Sequence, residues 1–144
     1  MIDAYANDDL KTRYISDLCT FKKLASYCLT EPGSGSQFVY LAFIVQNINN
    51  WANNRVHSHF LGSDAAALIT TARRDGDYYI VNGSKAFISG SGSSSVYLVM
   101  LRHHGQPGPK GIFCLLMEPD MPGFILGKNE RKLGWTTQVP NYPN

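Results

Sequence analysis

Two stretches of this 144-residue chain hold residue types that suit an anionic or a planar ligand. The loop Gly33-Ser34-Gly35-Ser36 could hold an anion, because backbone N–H groups in a tight turn can converge on phosphate oxygens. Phe87 and Ser89 end a short β-prone segment, where alternate residues point to one side, so a ring and a hydroxyl could together contact a planar heterocycle. Both patterns also have ordinary explanations. A glycine-serine loop is typical of a solvent-exposed turn, and an aromatic residue in a strand usually packs in the hydrophobic core.

Several familiar binding and catalytic patterns are missing from the sequence. Gly83-Ser84-Lys85 lacks the upstream glycine and the following hydroxyl of a phosphate-binding P-loop, and Ser95 stands where a dinucleotide fingerprint beginning at Gly90 needs glycine. No serine lies in a Gly-x-Ser-x-Gly elbow, so a hydrolase is disfavoured. Two histidine pairs lack carboxylates or thiols at a recognised metal-ligand spacing, so we predict no metal site; they are His57 with His59 and His103 with His104.

The composition favours one folded domain with no nucleic-acid partner and no membrane partner. Thirteen basic and eleven acidic residues leave a net charge of +2, too little for a phosphate backbone or an anionic membrane. Three scattered cysteines without a CxxC pair favour a reducing compartment. The longest apolar run, Phe38 to Val45, is far shorter than the roughly 20 residues that cross a bilayer. The first thirty residues show neither a secretory signal nor a transit peptide.

Hydrophobic periodicity predicts a short helix followed by a small sheet. Apolar residues within 2–15 form one helical face, although little of the nearby chain is expected to cover it; they are Ile2, Tyr5, Ala6, Leu10 and Tyr14. Leu24 to Leu29 is predicted to be a short strand that ends in the proline and glycine loop after Thr30.

Turn signals beyond residue 64 predict a meander of short strands. Asp75-Gly76-Asp77 and Asn82-Gly83 are both typical hairpin turns, and the segments 96–101 and 112–117 are strongly β-prone. We therefore predict a mainly β fold, built as an antiparallel sheet or barrel.

Taken together, three motifs resemble the acyl-CoA dehydrogenase family. Leu29-Thr-Glu-Pro32 precedes a glycine-serine loop, and Gly62-Ser-Asp64 continues the same signature. The run from Asp75 to Ser89 holds an Asn-Gly-x-Lys turn pair and then Phe-Ile-Ser. The segment from Gly127 to Trp135 is similar to a lysine-rich motif that comes later in the family's sequences. The segments 85–90 and 107–112 look closest to members that act on short branched acyl groups. The implied fold is the family's β-barrel-like middle domain, preceded by a helical remnant.

The resemblance implies an FAD cofactor and a set of residues that contact it. Thr30 would hydrogen-bond the isoalloxazine edge, Phe87 would pack against the flavin ring, and Ser89 would lie near the reactive nitrogen. The implied cofactor-binding set is Tyr27, Cys28, Leu29, Thr30, Ser36, Phe87, Ile88 and Ser89. The serine of the Gly-Ser-Asp step, which can be Ser36 or Ser63 but not both, would contact the acyl-CoA or the cofactor phosphates.

One internal segment departs from the family pattern. Residues 37–61 are rich in asparagine and are bracketed by Gly-Ser dipeptides, which favours an in-frame insertion that comes from translated intron sequence or from an error in the gene model. We therefore predict four parts: a remnant of an N-terminal helical domain at 1–23, the middle β-domain at 24–36 and 62–135, the insertion at 37–61, and an off-pattern tail at 136–144.

The implied activity is the α,β-dehydrogenation of a short branched acyl-CoA such as isobutyryl-CoA. The family also implies an electron-transfer flavoprotein partner, a homotetramer and the mitochondrial matrix. Its catalytic base is a glutamate of a C-terminal helical domain that these residues do not match, so we assign no catalytic residue and expect the chain alone to be inactive. The alternative is a non-catalytic β-domain that associates through an exposed apolar patch at Phe38 to Val45. A chain that does not fold stably, because its sheet edges are exposed, is a third possibility.

Overall fold

The computed structural model describes residues 1–31, the backbone of 39–46, and residues 68–127. In these residues, two helices precede a six-stranded sheet. The elements are α1 (Ile2–Tyr5), α2 (Asp8–Cys19), β1 (Ala25–Cys28), β2 (Val39–Gln46), β3 (Thr71–Asp75), β4 (Tyr78–Lys85), β5 (Val96–His103) and β6 (Ile112–Met117), with a 3-10 turn at Pro109–Gly111 before the last strand.

Strand β5 is the centre of the sheet. It pairs antiparallel with β6 along one edge, while β1 and β3 share its other edge end to end. The order β1-β5-β3-β4-β2 then places β2 at the far end, antiparallel to β4. The predicted mainly β fold is confirmed.

The all-antiparallel arrangement is wrong for two pairings, because both β1 and β3 run parallel to β5. Only strands joined by tight turns are forced to be antiparallel, whereas strands that are distant in sequence can pair in either direction. The sheet is therefore mixed.

One of the two predicted turns is confirmed. Gly76 has a φ of +59° between β3 and β4, whose last register pair is Asp75 with Tyr78. The turn predicted at Asn82-Gly83 is wrong, because β4 continues to Lys85. Gly83 instead permits a close backbone approach, since a Cβ there would lie 2.5 Å from Thr70 Oγ1.

The predicted helix over 2–15 is two helices. The Asn7 side chain accepts a hydrogen bond of 3.0 Å from the N–H of Leu10 and so begins α2 as a separate element. The predicted apolar face is buried at four positions and exposed at Tyr5; the buried residues are Ile2, Ala6, Leu10 and Tyr14. The expectation that this face lacks a cover is wrong, because it packs on the sheet.

The sheet has an apolar core on each face. Side chains of β5 alternate between a helix-side core, with Val96, Leu98 and Met100, and a far-side core, with Tyr97, Val99 and Leu101. Such a strand, buried on both faces, reads as a continuous hydrophobic run. Within the described ranges, neither helix has the length and apolar character needed to cross a membrane.

Candidate functional site

The end of β1 and the loop after β4 lie side by side. The Ser26 hydroxyl donates to the Ser89 carbonyl at 2.7 Å, the Ala86 N–H donates to the Thr30 carbonyl at 2.8 Å, and Lys85 Nζ donates to the Leu29 carbonyl at 3.1 Å. These three contacts bring together the two predicted groups of site residues, 27–30 and 87–89.

Exposed side chains of the segments 27–30 and 87–89 form a surface with aromatic and hydroxyl groups. Tyr27 is 42% exposed and lies between the buried residues Ser26 and Cys28 on β1. Thr30 and Ser89 are exposed as well. Partial burial raises the pKa of the Tyr27 hydroxyl, so it stays protonated at neutral pH and can donate a hydrogen bond.

Phe87 is displayed outside the core, contrary to the default expectation for a strand aromatic. Because β4 ends at Lys85, residues 87–89 belong to a loop, and the strand alternation that we invoked for Phe87 and Ser89 does not apply. Phe87 has a φ of +55° and is 68% exposed. A bulky side chain in the left-handed region is strained, and such strain persists only where the surrounding structure enforces it.

Three of the predicted site residues direct their side chains into the protein. Cys28 and Ile88 pack in the far-side core, and Leu29 packs against the helix-side core. Burial raises the pKa of the Cys28 thiol to about 12, so this sulfur is not a nucleophile at neutral pH. Any ligand contact from Cys28 or Ile88 would have to use the backbone.

A largely buried ion pair joins the end of β4 to the residues that follow β1. Lys85 Nζ donates to Glu31 Oε1 at 2.8 Å, with side-chain exposures of 1% and 11% respectively. The Glu31 carboxylate also accepts from the N–H groups of Ile69 at 2.6 Å and Thr70 at 2.8 Å.

The pKa directions of this pair follow from burial and hydrogen bonding. Burial opposes ionisation of Glu31, but the bonds from Lys85, Thr70 and Ile69 outweigh it and hold the pKa of this carboxyl below its ordinary value. Burial lowers the pKa of the Lys85 ammonium, with its contact to Glu31 acting in the opposite direction.

A serine-rich loop after Ser89 is fastened to β1. Ser26 Oγ lies 2.7 Å from Ser94 Oγ, and the N–H of Gly92 donates to the Tyr97 hydroxyl at 3.0 Å. Gly90, at a φ of +77°, would place a Cβ 3.1 Å from Ser94 Oγ and 3.2 Å from Ser26 Oγ. The loop that displays Phe87 and Ser89 is therefore held at both ends.

The remaining predicted residues lie elsewhere. Ser36 and Ser63, like His57 and His59, fall outside the described residues. His103 stacks on Phe113 with ring centroids 3.9 Å apart, and burial lowers the pKa of its imidazole. Across the parts of the chain that the structure describes, no three histidine, cysteine, aspartate or glutamate side chains gather as a metal site.

Sequence reasoning assigned no role to Ser26, Glu31 or Lys85. A usable signal was present, because Lys85 shares the inward parity of the buried residues Tyr79 and Val81 on β4. A lysine at a core-facing strand position requires a partner, and that requirement points to an acid nearby.

A surface of this kind suits a flat ligand with hydrogen-bonding edges, since rings and hydroxyls are displayed from a fixed frame. Residues 59–139, more than half of the chain, match the family described as acyl-CoA dehydrogenase, middle domain. The chain belongs to the acyl-CoA dehydrogenase family. Its two groups of candidate residues come from the motifs on which the resemblance rested.

Individual relatives of the family agree with this assignment. The chain is 47% identical to the mitochondrial isobutyryl-CoA dehydrogenase of Dictyostelium discoideum and 44% identical to that of Bos taurus, in each case over 96% of this chain. It covers 27% and 26% of those proteins, about a quarter of their length.

A solved structure of the family has the same fold. The glutaryl-CoA dehydrogenase of Mycobacterium smegmatis, in complex with FADH2, superposes with a TM-score of 0.65 at 26% identity. The superposition covers 92% of this chain and 26% of that one.

Proposed function

We propose that this chain supplies the flavin-facing surface of an FAD-dependent acyl-CoA dehydrogenase that acts on a short branched acyl-CoA such as isobutyryl-CoA. The observation that carries the proposal is the display of Phe87, strained and 68% exposed, beside the end of β1. The names of the two similar isobutyryl-CoA dehydrogenases and the FADH2 complex of the structural relative support the cofactor and the substrate class.

The described residues fit a flavin. An isoalloxazine is planar, with an apolar benzenoid side and a hydrogen-bonding edge, so it needs an aromatic or aliphatic contact on a face and donors at its rim. Phe87 and Tyr27 offer exposed rings, and Thr30 and Ser89 offer exposed hydroxyls, all on segments joined by short hydrogen bonds. The buried Glu31–Lys85 pair keeps these segments together without placing a free charge at the surface.

Each residue then has a specific task. Phe87 covers the ring and excludes water, Thr30 donates to the flavin edge, and Ser89 donates close to the reactive nitrogen. Tyr27 borders the ring, Cys28, Leu29 and Ile88 line it through backbone groups, and either Ser36 or Ser63 contacts the acyl-CoA or the cofactor phosphates. Bound FAD would supply the chemistry of accepting a hydride from the acyl β-carbon.

We place the general base for the α-proton outside these 144 residues. General-base catalysis requires a group within hydrogen-bond reach of the proton that is removed. On the described surface the nearby carboxylate is Glu31, which is already engaged by Lys85 and two backbone N–H groups. An electron-transfer flavoprotein partner, homotetrameric assembly and a mitochondrial location belong to the same proposal, and the mitochondrial names of the relatives support the location.

Flavin titration of the purified 144-residue chain tests the proposal. We expect saturable FAD binding, seen as quenched flavin fluorescence and a shifted visible spectrum, and no acceptor reduction with isobutyryl-CoA. Absence of flavin binding contradicts the proposed surface. Sustained turnover contradicts the placement of the base.

An association module remains the second candidate, because β2 lies at the end of the strand order. Within the described strands, β2 pairs with β4 alone, so its outer backbone edge can accept another strand. Colourless oligomers that dissociate when residues 37–61 are deleted favour the module. Monomeric or oligomeric protein that binds FAD with or without this segment favours the flavin surface.

A further inference from the structure

Three chain segments converge on the Glu31 carboxylate. Glu31 itself follows β1, Ile69 and Thr70 lead into β3, and Lys85 ends β4. The carboxylate accepts the N–H groups of both Ile69 and Thr70, and Lys85 lies 2.8 Å away. Groups from three separate parts of the chain therefore share one charged centre.

The lysine extends this centre to the residues of the flavin surface. Lys85 Nζ donates a second hydrogen bond, of 3.1 Å, to the carbonyl of Leu29. The next residue, Ala86, donates its N–H to the carbonyl of Thr30 at 2.8 Å, and Phe87 follows directly. A displacement of Lys85 would therefore shift Thr30 and Phe87 relative to each other.

The approach of Thr70 is itself constrained. Gly83 lets the Thr70 backbone come close to β4, and the Thr70 carbonyl accepts the N–H of Arg102 at 3.0 Å. The Nε of Arg102 also donates to the Leu68 carbonyl at 2.9 Å. The segment that holds the Glu31 carboxylate is thus anchored to the central strand β5.

We propose that Glu31 and Lys85 are positioning residues, whose ion pair fixes Leu29 and Thr30 against Phe87 and so sets the geometry of the flavin surface. The inference rests on the proposed function for its ligand, but its structural part is independent of FAD. It explains why an acid and a lysine accompany the flavin-facing residues in the two sequence motifs.

Three variants separate positioning from stability. Glu31→Gln keeps a side-chain carbonyl for a backbone N–H but removes the charge, and Lys85→Met keeps the aliphatic length but removes the ammonium. The double variant leaves no unpaired buried charge, so its thermal stability should recover most of what either single variant loses. Glu118→Gln, which alters the ion pair of Arg13 with Glu118 (2.8 Å), is the matched control.

FAD affinity and flavin spectrum of the full chain are the first readout. We expect Glu31→Gln to weaken FAD binding about ten-fold or more, the change that corresponds to the loss of one or two hydrogen-bonding contacts. The double variant should still bind FAD weakly and with an altered flavin spectrum even though its thermal stability recovers. Glu118→Gln should bind FAD as tightly as the parent chain does. Recovery of affinity together with stability overturns the positioning role.

Amide hydrogen exchange without FAD is the second readout, and it distinguishes failure of this inference from failure of the proposed function. Glu31→Gln should raise exchange in the segments 29–31, 68–70 and 86–89 while leaving β5 and β6 protected. Unchanged protection in those segments overturns the inference even if the parent chain binds FAD. If the parent binds no FAD, the flavin role falls with the proposed function, and exchange alone decides whether the ion pair joins the segments.

Discussion

Two surface regions combine a left-handed phenylalanine with a lysine–carboxylate contact, and they differ in what surrounds that combination. At the end of α2, Phe21 has a φ of +57° and Lys23 lies 2.9 Å from Asp17. After β4, Phe87 has a φ of +55° and Lys85 lies 2.8 Å from Glu31. The backbone strain and the charge separation are thus nearly equal in the two regions.

The surroundings of the two phenylalanines are nevertheless different. Near Phe21 the contacts are local. Where the helix ends, the N–H of Phe21 donates to the backbone carbonyl of Leu18, and the N–H of Lys23 donates to the backbone carbonyl of Asp17. Near Phe87 the ion pair joins residues 54 positions apart and is buried. A left-handed residue after a helix is a common helix ending, whereas at Phe87 the same strain occurs beside long-range contacts, and this is the strain on which the proposed flavin surface rests.

Removal of each lysine should give the largest difference between the two regions. Lys85→Met leaves the largely buried Glu31 carboxylate with two backbone N–H donors but no counter-ion, so we expect the free energy of unfolding to fall by about 3 kcal/mol. Lys23→Met, the matched control, breaks a surface pair and should leave the denaturation midpoint unchanged within error. Urea unfolding measures both variants, and similar midpoints for the two would contradict the contrast.

Truncation of each aromatic should separate the regions by function. Phe87→Ala should weaken FAD binding by about ten- to a hundred-fold, because burying an aromatic side chain contributes roughly 1.5–3 kcal/mol. Phe21→Ala makes the same change in the same backbone conformation and should leave FAD affinity unaltered. Fluorescence titration decides the matter, and equal affinities in the two variants remove Phe87 from the flavin surface.

The pH dependence should distinguish the two carboxylates by degree. The pKa of Glu31 is lower in the folded protein than its ordinary value of 4.5, so its stabilisation is present above that value and is lost as pH falls through the depressed pKa. The melting temperature of the parent should therefore exceed that of Glu31→Gln at pH 7, and the gap should close under acid conditions.

Asp17 provides the comparison for this titration. Its hydrogen bond from Lys23 also lowers the pKa of its carboxyl, so the sign of the dependence is the same. Because this pair is at the surface and is screened by salt, Asp17→Asn should give a much smaller gap in melting temperature at 0.15 M salt. A gap at Asp17 as large as that at Glu31 would remove the distinction that we draw from burial.

The sequence predicted the local parts of the fold better than its long-range parts. The strands β5 and β6 follow from their apolar β-prone runs, and the hairpin at Gly76 follows from its turn residues. The turn predicted at Asn82-Gly83 was wrong because its glycine serves a contact with Thr70, thirteen residues away in sequence. The parallel pairing of β1 with β5 was not predicted for the same reason, since no local signal specifies a partner so distant in the chain.

The candidate site shows the same limit. Motif resemblance named Tyr27, Thr30, Phe87 and Ser89, and the structure places their segments side by side, but the resemblance said nothing about what holds the segments together. The core-facing position of Lys85 calls for an acidic partner, but the identity of that partner, Glu31, and the contacts of Ser26 became visible only when strands far apart in sequence were paired. Phe87 is exposed because of a left-handed backbone, which no alternation pattern predicts.

The smallest expected effect comes from relieving the strain at Phe21. Glycine adopts the left-handed conformation without the cost of about 1–2 kcal/mol that an L side chain carries, although it also gives the unfolded chain more freedom. Because Phe21 is 82% exposed and its side chain contributes little packing, Phe21→Gly should raise the free energy of unfolding by about 0.5–1 kcal/mol. FAD affinity should not change. A loss of stability, or a change in FAD binding, would mean that Phe21 makes a contact of its own and that the end of α2 is more than a helix ending.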